Sequence, residues 1–100
     1  MLLEITYRTN KLEKICTKYN QAQKEYGKNM AMLIHQRIAE IKSADTIEEM
    51  IQFSIGRCHA LRGKREGQFA MNLEHPYRLI FTKDNNKVIC VKIEEIVDYH

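Results

Sequence analysis

Hydrophobic and polar positions change period several times along the chain, and each change marks an element. Leu3, Ile5 and Tyr7 alternate with Glu4, Thr6 and Arg8, a period of two that predicts a short strand. The period then lengthens. Leu12, Ile15, Cys16 and Tyr19 recur at one-face helical spacing, and Asn10 with Glu13 three residues on offers a variant capping box, so a first helix is expected from Asn10. Residues 20–27 are polar and fit a helix or a loop, with Gly27 as the expected break. Met30, Leu33, Ile34, Ile38 and Ile41 form a second helical stripe, with His35, Gln36, Arg37 and Glu40 largely off it. Thr46-Ile47-Glu48-Glu49 matches the S/T-x-x-E capping box and predicts a short helical turn.

Beyond that turn the period of two returns. Arg57 to Leu61 reads as a strand with Cys58 and Ala60 on one side and Arg57, His59 and Leu61 on the other. Phe69, Met71 and Leu73 alternate, the turn Glu74-His75-Pro76 follows, and Tyr77, Leu79 and Phe81 alternate again, which predicts an antiparallel hairpin. Pro76 lacks an N–H and suits a turn or a strand start. Asp84-Asn85-Asn86 is the next expected turn, before a last apolar run from Val88 to Val97. The order predicts an α+β fold, two N-terminal helices packed on one face of a mostly antiparallel twisted sheet, in a single domain spanning residues 1–100.

Composition narrows this picture only slightly. With 44% hydrophobic and 29% charged residues in 100, the chain is long enough to bury one core and too apolar to be disordered. Charge distribution is more informative than the net +3. Residues 57–92 carry Arg57, Arg62, Lys64, Arg65, Arg78, Lys83, Lys87 and Lys92 against only Glu66, Glu74 and Asp84, whereas residues 93–100 carry Glu94, Glu95 and Asp98 and no Lys or Arg. A local cationic excess suits phosphate. Cys16, Cys58 and Cys90 are an odd, widely spaced set without a CxxC, so neither a disulfide framework nor a zinc site is expected, and no metal or other cofactor is called for. The first ten residues hold no apolar run long enough for a signal peptide or a membrane span, and a cytoplasmic location is expected.

The runs Gly56-Arg57-Cys58-His59-Ala60-Leu61-Arg62-Gly63, Gly67-Gln68-Phe69, Tyr77-Arg78-Leu79-Ile80-Phe81 and Val97-Asp98-Tyr99-His100 resemble the HigB branch of the RelE/ParE toxin superfamily, also called plasmid-maintenance killer proteins. The resemblance extends over essentially the whole chain, including the Tyr26-Gly27 lead into the second helix. It departs from the family pattern at Ala60, where many relatives carry proline, and at Phe69, where many carry tryptophan. It implies a RelE-like fold and the toxin of a type II toxin–antitoxin pair, most often a ribosome-dependent endoribonuclease that cuts mRNA. It also implies a helix-turn-helix antitoxin of HigA-like type, with DNA contacted only through that antitoxin. The ParE branch of the same superfamily implies the alternative, a non-enzymatic toxin that inhibits DNA gyrase by protein–protein contact.

Metal-free RNA cleavage needs a base for the 2′-hydroxyl proton, cations for the crowded phosphorane and an acid for the leaving 5′-oxygen. Imidazole titrates near neutrality and serves either proton role. The resemblance places these duties on His59 and His100, with acid and base left open between them. Asp98 would orient a catalytic group or act as a base, and Tyr99 would hydrogen-bond phosphate or stack on a base. Arg78 would contact the scissile phosphate, for which a planar, permanently charged fork is suited, with holding a carboxylate such as Asp98 as its structural alternative. Arg62, Lys64 and Arg65 would hold the RNA backbone, although a Gly-flanked charge run is also an ordinary solvated turn. His35 and His75 are expected to be structural or surface residues, and Cys58 to be a packed hydrophobe rather than a nucleophile.

Overall fold

The computed structural model describes residues 3–84 and 90–98. The first strand, β1 (Glu4–Tyr7), leads into helix α1 (Asn10–Thr17), which is capped one residue earlier than the sequence suggested. Thr9 is in extended backbone and its hydroxyl oxygen accepts from the Leu12 N–H at 3.1 Å, so Asn10 is the first helical residue. The polar stretch after it is a helix too. Helix α2 (Tyr19–Tyr26) buries only Ala22 completely, and lays Tyr19 and Tyr26 half-buried against the core. Gly27, at φ 90°, ends α2 and turns the chain directly into α3 (Lys28–Ser43). There Met30, Ile34, Ile38 and Ile41 of the expected stripe are buried, joined by Ala31, while Leu33 is only partly buried.

Thr46 caps the short helix α4 (Ile47–Gln52) by accepting from the Glu49 N–H at 3.0 Å. The reciprocal bond is displaced by one residue, because the Glu49 carboxylate accepts from the Asp45 N–H at 3.5 Å. A tight 3-10 turn, Ile55–Arg57, then replaces the start of the expected 57–61 strand, which shrinks to β2 (His59–Ala60). A second such turn, Gly63–Arg65, precedes the hairpin strands β3 (Gln68–Asn72) and β4 (Tyr77–Lys83), and β5 (Cys90–Asp98) completes the sheet. Asn85, Asn86 and Val88, from the expected last turn and strand start, lie outside the described residues, as do Tyr99 and His100.

The five strands lie in the order β1-β5-β4-β3-β2. All neighbours are antiparallel except β1 and β5, which run parallel from Glu4 opposite Cys90 to Tyr7 opposite Ile93. A parallel pair requires a crossover, and the helices supply it. One sheet face, with Met71, Leu79, Phe81, Val91 and Ile93, packs with Ile34, Ile38, Ile41, Met30 and Met50 into a single apolar cluster. Phe81 is fully buried and stacks on Phe69 at 5.6 Å between ring centroids. Tyr77 meets Tyr26 edge-on at 5.6 Å, which pins the start of β4 to α2. Among the described residues the opposite face carries no helix from this cluster, and Arg78 and His59 lie on it.

Candidate functional site on the open sheet face

Strand register decides which side chains share the open face. Directly paired residues project to the same side, so His59 opposite Ala70, Ala70 opposite Ile80, and Ile80 opposite Glu95 make one cross-strand row. A second row runs from Asn72 to Arg78 to Val97, and a third from Gln68 to Thr82 to Lys92. Ala70 and Ile80 are fully buried yet lie outside the main core cluster, and they floor this face. A bulge shapes its far side. Ile80 pairs with Glu95 but Phe81 pairs with Ile93, which leaves Glu94 as an extra residue on β5. Such a bulge re-aims side chains, and here Glu94 and Glu95 both reach the polar groups of the open face. The Thr82 hydroxyl donates to the Glu94 carboxylate at 2.9 Å, and Arg65 donates to the Glu95 carboxylate at 3.2 Å.

His59 is exposed on β2, and its ring is fixed from behind. Nδ1 lies 2.7 Å from the Arg57 carbonyl oxygen. A carbonyl only accepts, so Nδ1 carries the proton and donates, and in the neutral ring Nε2 presents a lone pair. The carbonyl is aimed by left-handed backbone at Ser54 (φ 53°), Gly56 (φ 57°) and Arg57 (φ 55°). For Ser54 and Arg57 that conformation costs about 1–2 kcal/mol each. A Cβ on Gly56 would come within 2.8 Å of the Arg37 side chain, so glycine is required there on both counts. Cys58, next to His59, is buried, and burial pushes its thiol up to about 11. It is a packed hydrophobe and not a thiolate at neutral pH.

Arg78 projects from the middle row and donates to the Asn72 side-chain oxygen. The pair sits at a non-hydrogen-bonded ladder position, because the Leu73 N–H next to it already bonds the Tyr77 carbonyl at 3.1 Å. At such positions opposing side chains approach most closely. His59 and Arg78 are therefore two strands and two residues apart on one face, roughly 12 Å between Cα atoms from ordinary sheet spacings. One imidazole and one guanidinium can reach a single phosphate across that gap.

The remaining residues divide. Arg65 lies across the face, half-buried, donating to Gln68 at 2.9 Å as well as to Glu95. Arg62 and Lys64 are exposed at the neighbouring turn and form no ion pair with a described residue. Asp98 is exposed at the end of β5 opposite Tyr77, on the alternate side of the ladder from Arg78. Tyr99 and His100 lie outside the described residues. Of the histidines expected to be structural, His75 is exposed in the hairpin turn, whereas His35 packs edge-on against Tyr19 at 5.7 Å. Sequence periodicity missed Asn72, Gln68, Glu95 and Arg37. Asn72 and Gln68 share the polar parity of β3, a signal that was present but unspecific. Among the described residues no group of three or more His, Cys, Asp or Glu is placed to hold a metal ion, and no helix is long and apolar enough to cross a membrane.

Comparison with known proteins gives the fold a context. No family profile and no curated protein matches the sequence. Solved structures do match its shape. The "YoeB-YefM complex from Staphylococcus aureus" is 22% identical with a TM-score of 0.61, covering 100% of this chain and 99% of that one. The "YoeB/ParE toxin from Agrobacterium tumefaciens" is 8% identical with a TM-score of 0.67, covering 98% and 100%. The YoeB dimer from Staphylococcus aureus is 20% identical with a TM-score of 0.58, covering 100% and 99%. This chain shares the α+β fold of those proteins over its full described length.

Proposed function

We propose that this chain is the toxin of a toxin–antitoxin pair, a cytoplasmic, HigB-like endoribonuclease that cuts mRNA on the ribosome without a metal. The observation that carries the reading is the open sheet face, where the exposed His59 donates from Nδ1 to the Arg57 carbonyl, leaving Nε2 unprotonated in the neutral ring, while Arg78 is steadied by Asn72. Support comes also from the motif resemblance and from the fold shared with the YoeB/ParE toxin from Agrobacterium tumefaciens and with the YoeB-YefM toxin-antitoxin complex from Staphylococcus aureus.

In this reading His59 Nε2 takes the 2′-hydroxyl proton, Arg78 bonds the equatorial phosphate oxygens as charge builds, and His100 supplies the proton to the leaving 5′-oxygen. The products are a 2′,3′-cyclic phosphate, or its 3′-phosphate, and a 5′-hydroxyl. An unprotonated nitrogen facing the substrate is what a base requires, and each proton-transfer group contributes roughly 10²- to 10⁴-fold. Tyr99 stacks on a base or bonds phosphate, and Asp98 orients the terminal histidine. Arg62 and Lys64 hold the RNA backbone from the turn, and Arg65 does so with its guanidinium anchored by Glu95. The partner is an antitoxin of helix-turn-helix, HigA-like type that restrains the toxin.

Primer extension on a defined message in a purified translation system, with and without ribosomes, tests the reading. Cleavage that needs ribosomes and falls at least about 100-fold in His59→Ala and His100→Ala supports it. Intact message together with wild-type toxicity in cells overturns it and favours the ParE-like reading, which a gyrase supercoiling assay then tests.

A further inference from the structure

Arg37 lies on the helix layer, away from the open face, yet it touches the supports of both groups that the proposed chemistry uses. Its side chain is 12% exposed and crosses from α3 to the far end of β3. Nε donates to the Asn72 main-chain carbonyl at 2.6 Å, and Nη1 donates to the Glu40 carboxylate at 3.0 Å. Glu40 is itself steadied by the Gln36 amide at 3.3 Å.

Two features of the sheet explain why an arginine is needed there. Because Leu73 bonds toward β4, the alternation of an antiparallel ladder turns the Asn72 carbonyl to the β2 side. Strand β2 stops at His59 opposite Ala70, so no strand residue reaches that carbonyl. A partly buried carbonyl left unpaired still costs stability, and Arg37 satisfies this one. The same guanidinium lies against Gly56, where an added Cβ would stand 2.7 Å from Nε, 2.8 Å from Cδ and 3.0 Å from the Met71 methyl carbon. Gly56 precedes Arg57, whose carbonyl holds His59.

We propose that Arg37 is a positioning residue for the open face, bracing Asn72 and so Arg78 on one side and the Gly56–Arg57 turn and so His59 on the other. Glu40 keeps the guanidinium aligned and balances its charge at this partly buried position. The inference rests on the nuclease reading for its catalytic consequence, and on geometry alone for its effect on the His59 ring.

Arg37→Lys and Gly56→Ala test it from opposite sides of the contact. Lysine keeps the charge that Glu40 needs but loses the fixed Nε donor, while the alanine methyl displaces the guanidinium and also strains the turn, whose φ of 57° disfavours a side chain, so Arg37→Lys is the cleaner of the two. Nitrogen-15 NMR of the His59 ring is the first readout. Wild type should show the Nδ1–H tautomer alone at pH 8, and both variants a mixture of tautomers. In the cleavage assay kcat should fall roughly 30- to 100-fold with KM within about threefold, as a small misplacement does. The double variant should be little worse than Gly56→Ala alone, because that substitution already displaces the guanidinium. Folded variants that keep the pure Nδ1–H tautomer and cleave within about threefold of wild type overturn the proposal. If wild type cleaves nothing, the nuclease reading fails while the tautomer measurement still decides the positioning role.

Discussion

The two faces of this sheet are built from the same strands, residue by alternate residue, and do different physical work. On the helix side Met71, Leu79, Phe81, Val91 and Ile93 are fully buried in one apolar cluster with the stripe of α3. Contacts there are many, non-directional and individually replaceable. On the open side Ala70 and Ile80 supply a small apolar floor, and everything above it is directional: Arg78 on Asn72, Arg65 on Gln68 and Glu95, Thr82 on Glu94. Alternation lets one ladder carry stability on one side and a polar constellation on the other. Substitutions should therefore separate the two properties by parity alone.

The sharpest break is on the core side. Phe81→Ala should destabilise the fold by about 3–5 kcal/mol, visible as a lowered midpoint in urea, with activity lost in proportion to unfolding. Next come His59→Ala and Arg78→Ala, which should each lower message cleavage at least about 100-fold while leaving the urea midpoint near that of wild type. A midpoint that moves as far as that of Phe81→Ala would sink the idea that the faces are separable. Asn72→Ala removes the side-chain oxygen that steadies Arg78 and should cost roughly tenfold in kcat, about 1.4 kcal/mol, measured beside an unchanged far-UV spectrum.

The smallest effect lies off both faces, at the exposed Lys83–Glu48 pair, where the separation is 2.7 Å. The hydrogen bond from Lys83 and the Glu48 backbone bond hold the Glu48 carboxyl below its ordinary 4.5. A depressed folded-state value contributes stability above 4.5 and loses it as pH falls through the lower value. Lys83→Met should therefore cost no more than about 0.5 kcal/mol at pH 7, and the difference from wild type should vanish at low pH, measured by denaturant titration at both.

Legibility follows the same division. The α3 stripe, the Thr46 cap, the Gly27 break and the β3–β4 alternation could be read directly, because each depends on neighbours within a turn or a strand. Helix α2 could not, since its surface is polar and only Ala22 is fully buried; it is helical because it packs on α3. The 57–61 strand is mostly lost because Ser54, Gly56 and Arg57 adopt left-handed backbone, which no period in the sequence announces. His59 and Arg78 could be named from their motif, but not their common face, which needs the register of three strands. Glu95 and Arg37 were invisible for a related reason. A bulge on β5 aims the first, and a carbonyl abandoned by the short β2 recruits the second, so each is defined by a partner far away in the chain.

The sheet order has a temporal meaning as well. Strand β5 is made last of the five yet occupies the slot between β1 and β4. Until residues 90–98 have emerged during synthesis, the first strand has no neighbour in the sheet and the β3–β4 hairpin has an unfilled edge. The nascent chain thus carries His59 and Arg78 without the wall that Glu94 and Glu95 provide until β5 has been made.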